Sequence, residues 1–303
     1  MSNKKAKPSG IILPFLFDNM PVRGKLLQLN DLSAHIPSIE IGSNQGHGIV
    51  ATLLAEMLAA SIAFAFDLKD AANVTLQIHS ESDIPLMVTH CENGGHLKAF
   101  ANMEENVSDI TFKDISSANG TMVITVEQHG QQYQSVVDLN DESISSSIEN
   151  YFEKSAQSKT YFRVFTEVKN NKVTCGAMML QIMGENTEDQ RHTLTPEELE
   201  DNWHRLKLIL NTIQPEEIVP GRYLPDSILM RLFAEDIVRV FDISPLTFAA
   251  PNTKERMEKA LKSIGINNCK ELLNEGPIVM TCEFSGKEET FTEKDIIALF
   301  ADD

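Results

Sequence analysis

Cysteine is scarce in this 303-residue chain. Cys91, Cys175, Cys269 and Cys282 are widely spaced and form no Cys-x-x-Cys pair. That excludes a disulfide-dense secreted scaffold and any thiolate cluster with zinc-type spacing. Basic residues are also few: 26 Lys and Arg stand against 44 Asp and Glu, a net charge of −18. Such a chain repels phosphate backbones, so nucleic acid is not an expected partner. Residues 1–10 carry Lys4, Lys5 and Lys7, but no apolar stretch and small-residue cleavage site follow. No secretory signal is read there; residues 1–9 read as a disordered tail, and the expected compartment is a reducing cytoplasm. Only one long apolar run occurs, 49–66. Glu56 interrupts it, Asp67 closes it, and basic anchors are missing on its N-terminal side. It reads as a buried core helix, not a membrane span. The glycine-rich entry to that helix, 42–48, has no Gly-Lys-Ser/Thr ending and no lysine. A helix entry is therefore expected there, not a phosphate loop.

What remains is ordinary globular material, 42% hydrophobic and 23% charged, and long enough for two cores. Residues 74–79 alternate apolar and polar side chains, the period of a half-buried strand. Strands are also expected at 24–29, 85–89 and 96–101, with hairpins at 121–127/132–139 and 161–168/173–183. Asn170-Asn171 marks the turn of the second hairpin. A helix over 143–155 carries Ile144, Ile148, Tyr151 and Phe152 on one face. These elements make an α+β domain over 10–184. A polar boundary follows at 184–192. Thr195 then reads as an N-cap with Pro196 at N1, opening a helix to about Ile213. A second helix capped by Asp226 and a third over 235–241 complete a helical, acidic linker, 185–244. The last unit, 245–303, reads as helix, short hairpin around Gly286, and a final helix capped from Thr292.

In that last unit Phe248-Ala249-Ala250-Pro251-Asn252-Thr253 precedes a helix, and Met280-Thr281-Cys282-Glu283-Phe284-Ser285-Gly286 follows it. The layout resembles the C-terminal domain of the redox-regulated 33 kDa heat-shock chaperone family. That family has Phe-x-Cys-x-Cys-Ser before the helix and Cys-x-x-Cys-Gly after it. The likeness spans nearly the whole chain. It includes Asp18 and Val22-Arg23-Gly24, the small-residue helix around Leu53 to Ala60, Gly176 to Ile182, and Leu229 to Phe241. The resemblance implies a stress-response chaperone that binds unfolded proteins without an ATP cycle or a catalysed reaction, and that dimerises when active. In the family four thiolates hold a zinc. Their oxidation ejects it, unfolds the C-terminal unit and frees the linker.

At the four zinc positions this chain has Ala250, Asn252, Cys282 and Ser285. Ala250 is no ligand, Asn252 and Ser285 are poor ones, and no histidine follows His204. No zinc is expected, and so no zinc-dependent redox switching. The unit is expected to fold on Met257, Leu261, Ile264, Leu272, Leu273, Val279, Phe284, Phe291, Ile296, Leu299 and Phe300; the alternative is a unit loose at rest, with the linker always available. Cys269 and Cys282 are candidates for a residual redox pair, with two independent thiols as the plainer reading. Trp203, Leu206, Ile209, Leu210 and Ile213, with Leu229, Leu232 and Phe233, are the candidate client-binding set, although each also suits a core. Cys91 and His90, as strand neighbours, point to opposite faces and make no dyad. Glu56 reads as a satisfied buried acid rather than a catalytic one. The alternative function is a non-chaperone adaptor that reuses the scaffold for one folded partner.

Overall fold

The computed structural model describes residues 8–36, 45–68, 72–92, 96–104, 107, 110–139, 142–155, 157–184, 194–246, 253–274, 276–281 and 288–300. In chain order the first part runs β1 Gly10–Phe17, β2 Val22–Leu29, α1 Gln45–Asp67, β3 Asn73–His79, β4 Leu86–Glu92 and β5 His96–Asn102. Then come α2 Phe112–Ser117, β6 Thr121–Gln128, β7 Gln131–Asp138, α3 Ile144–Lys154, β8 Thr160–Lys169 and β9 Lys172–Ile182. The linker contributes α4 Pro196–Leu210, α5 Pro215–Ile218, α6 Pro225–Leu232 and β10 Val238–Val240, and β11 Ser244–Leu246 spans its end. The C-terminal unit has α7 Thr253–Ile264, α8 Ile266–Leu273, β12 Ile278–Thr281, β13 Glu288–Phe291 and α9 Glu293–Leu299. The fold is α+β, as expected.

Two antiparallel sheets enclose α1. One has the order β5-β4-β3-β6-β7; the other has β10-β1-β2-β9-β8, with β11 also pairing β1. The helix is apolar all round because both sheets pack on it. Its length and hydropathy would suit a membrane span, but most of it is buried in this core. At its C-terminal end Lys25, itself buried, donates to the Ala63 carbonyl at 2.8 Å and pairs with Asp67. Burial outweighs that pairing and lowers the Lys25 pKa to about 8.

The two sheets differ in how they are covered, and the sequence patterns follow. The β3 strand, Asn73–His79, buries every second residue because α1 covers one face of its sheet. The β2 and β9 strands bury almost continuous runs, and β1 buries residues on both its faces, because their sheet is covered on both sides. Ile12, Leu27, Leu29, Cys175, Ala177 and Met179 face the α1 side. Leu13, Phe15, Phe17, Leu26, Met178 and Leu180 face the linker helices. Pro14 fits within β1 because it falls between the segments paired to β10 and to β11; its carbonyl accepts from Phe241 N–H at 3.0 Å. Gly24, opposite Phe15, leaves room for that ring, which would lie 2.1 Å from a Cβ there.

Several local expectations are corrected. The helix expected over 235–241 is the strand β10, paired with β1. The β-branched Val238 and Val240 fit a pleated edge better than a helix. Asp226 does not cap α6: Leu224 is the N-cap, Pro225 takes N1 and Asp226 lies in the first turn. The helix opened by Thr195 ends at Leu210, short of Ile213. Pro215 begins a further short helix, α5. Residues 244–246, across the expected boundary, pair with β1.

In the C-terminal unit Met257, Leu261, Cys269, Phe291 and Ile296 form a small buried cluster, with Leu273, Ile278, Met280, Leu299 and Phe300 against it. Thr292 caps α9 in a capping box with Asp295. Ile264, Leu272 and Val279, expected in this core, are exposed. Phe284 and Gly286 lie outside the described residues.

Candidate functional site

The eight linker residues singled out above converge on one place. A capping box between Thr195 and Glu198, with Pro196 at N1, starts α4. Its register turns Trp203, Leu206 and Leu210 to the same face. Those three, with Ile213, Leu229 and Phe233, are buried against Leu13, Phe15, Phe17, Leu26, Met178 and Leu180 of the sheet. Ile209 and Leu232 are half-buried against the same cluster. Phe233 anchors the end of α6 between Phe15 and Phe17, with ring centroids 5.9 and 5.0 Å away. The apolar set is thus a hidden surface, and the sheet beneath is its mirror.

Polar contacts fix the register of this docking. Gln28 Nε2 donates to the Ile218 carbonyl at 3.1 Å. Tyr161 Oη donates to Asn211 Oδ1 at 2.6 Å. Arg205 grips Asp236 with two bonds, at 3.0 and 2.6 Å, and this raises the Arg205 pKa. Arg239 pairs with Asp18 at 2.6 Å, and Lys159 with Glu200. Within the domain, Glu149 of α3 accepts from Phe162 N–H of β8 at 2.8 Å, yet burial still pushes its carboxyl up to about 7. Exposed ion pairs are worth about 0–1 kcal/mol each, whereas a buried large apolar side chain contributes about 1.5–3 kcal/mol. Apolar burial therefore holds the linker down, and the polar contacts orient it.

The outward side of the linker was missed from the sequence. Leu208, Leu224, Met230, Ile237, Val240, Phe241 and Ile243 are exposed there. The apolar alternation through Val238 and Val240 was the available signal, obscured by the helix expectation.

No catalytic arrangement is assembled from the candidates. Cys91 is fully buried, while His90 on the opposite face bonds Thr75 Oγ1 at 2.8 Å. Burial pushes the Cys175 thiol up to about 12. Glu56 is raised to about 7 by burial alone. Cys269 is buried, its thiol 3.5 Å from the Leu261 carbonyl, and its pKa is raised by burial. Ala250, Asn252, Cys282 and Ser285 lie outside the described residues. Among the described residues no group of three or more His, Cys, Asp or Glu could hold a metal. The donor set at the four family positions, one thiol with an amide and a hydroxyl, does not fit a structural zinc.

A family model described as Hsp33 protein matches residues 11–292. The 33 kDa chaperonins of Pseudomonas fluorescens Pf-5 and Ectopseudomonas mendocina are each 30% identical over 95% of this chain, covering 92% and 94% of their own lengths. That of Vibrio vulnificus is 26% identical over 96% of both. The crystal structure of a 33 kDa chaperonin from Thermotoga maritima superposes with a TM-score of 0.72 at 15% identity, over 97% of this chain and 99% of that one. The chain therefore belongs to the Hsp33 family of 33 kDa heat-shock chaperones.

Proposed function

We propose that this chaperone is an ATP-independent holdase whose activity does not depend on zinc release. The observation that carries the reading is the docked linker: Trp203, Leu206, Leu210 and Phe233 are buried on an equally apolar sheet face. Lifting the linker bares both surfaces at once, and unfolded proteins are the partners suited to them. The donor set at Ala250, Asn252, Cys282 and Ser285 supports release without metal chemistry. The C-terminal unit folds on apolar packing around Leu261, Phe291 and Ile296. Because apolar burial holds the linker, heat is a more effective trigger than salt. The scattered, buried Cys91, Cys175 and Cys269 suit a reducing cytoplasm. The test is light scattering of a heat-denaturing client in the presence of the fully reduced, metal-free protein. Suppression near stoichiometric ratios is expected; its absence would reject the reading.

A further inference from the structure

One apolar surface stays open while the linker is docked. Beside α6 and β10 lies a groove of about 710 Å³. Met230, Val240, Phe241 and Ile243 line it and are 74, 42, 49 and 44% exposed. Met supplies a wall that adapts to different side chains.

Strand β10 sits at the end of its sheet. Among the described residues nothing pairs with its outer edge. Phe241 N–H bonds the Pro14 carbonyl, and the Ile237 carbonyl accepts from Asp18 N–H. Residues 237, 239 and 241 therefore turn their backbone groups to β1, and alternation turns those of Val238 and Val240 away. The groove thus has apolar side chains and a strand edge ready for a further strand.

Its charge is of one sign. Asp226, Asp236 and Asp242 line it. Asp236 is held by Arg205, so Asp226 and Asp242 are the carboxylates left to a partner.

We infer that this groove takes an extended apolar segment of polypeptide, flanked by Lys or Arg, which adds to the edge of β10 as a strand. Main-chain bonds to Val238 and Val240 supply affinity, the apolar wall takes alternate side chains, and the two carboxylates select basic flanks. The inference rests on the holdase reading and deepens it. It gives the docked protein a first contact with a client, and it gives that contact a charge preference.

The test uses the full chain and fluorescence anisotropy with three short synthetic peptides. They share a Val/Ile core flanked by Lys, flanked by Glu, or flanked by Lys with alternate backbone nitrogens methylated. The Lys-flanked peptide is expected to bind about tenfold more tightly than the Glu-flanked one, two exposed charge contacts at low salt. Methylation is expected to remove binding. The D226N/D242N variant should bind both unmethylated peptides equally, and Met230→Ser, an exposed change that leaves the fold intact, should weaken both. No binding, equal binding by the wild type, or full retention after methylation would overturn the inference. So would a dimer in sedimentation that Met230→Ser dissociates and the peptides do not compete with, since a second copy would then own the groove. Client light scattering on the same samples separates the two readings. Suppression of aggregation without peptide preference sinks the groove alone, and peptide preference without suppression sinks the holdase alone.

Discussion

The Ile218 carbonyl oxygen lies so close over Gly176 that a Cβ there would sit 2.5 Å from it. Gln28, opposite Gly176 in the β2–β9 register, donates to the same oxygen. The linker backbone thus lands on the one position of β9 that has no side chain. Gly176→Ala should push α5 off the sheet, at a cost of about 1–3 kcal/mol for overpacking. The expected outcome is more binding of an apolar dye at rest, and faster amide exchange across 196–246 than in the wild type. Unchanged exchange would mean that the linker does not depend on this approach.

Arg205 and Asp236 allow a finer test. The Asp236 side chain is 2% exposed and that of Arg205 is 37%. Arg205→Ala leaves a buried carboxylate without its partner and should cost about 1–3 kcal/mol, the penalty of an unsatisfied buried group. Asp236→Asn should cost less, because it removes the buried charge. Arg205→Lys should fall between, since an ammonium cannot make the two parallel bonds. Urea midpoints of the three variants give the order.

The pH dependence of stability should carry the mark of Glu56. Burial raises its carboxyl to about 7 in the folded protein, so the folded state holds this proton more tightly than the unfolded one. The resulting penalty is absent below the unfolded value of about 4.3, grows as pH rises, and is complete above about 7. Glu56→Gln should therefore stabilise the protein by about 1–3 kcal/mol at pH 8 and by almost nothing at pH 4. Melting curves at both values decide it.

Zinc should be dispensable. Protein purified with added zinc is expected to hold far less than one metal per chain. Chelator should leave both its circular dichroism and its suppression of client aggregation unchanged. Structural zinc in small domains carries about 10 kcal/mol of folding free energy, so a real site would reveal itself by unfolding on chelation.

Much of this was legible in the residues. The alternation of β3 and the capping boxes of α4 and α9 are local signals, and they correspond to real elements. The Trp203–Leu210 stripe was legible as an apolar face, but what covers it was not. Its partner, the β1–β2–β9 face, is far away in sequence. The β1 strand, GIILPFLF, reads poorly because it is buried on both faces and contains Pro14. Strand β10 was mistaken for helix because a three-residue strand owes its state to long-range pairing with Phe15, Leu16 and Phe17. Cys282 and its neighbouring positions are legible only through the family likeness, since a missing ligand leaves no local pattern.

Strand β1 is paired along one edge by β2 and along the other by β10 of the linker and by β11, which spans the linker's end and the start of the next unit. Any event that frees the linker also strips that second edge of its covering, over most of an eight-residue apolar strand. An uncovered strand of this kind recruits other strands, including those of its own kind. Readiness to capture clients and readiness to stick to itself therefore rise together. The length of time the linker spends lifted is bounded from above by the chaperone's own solubility.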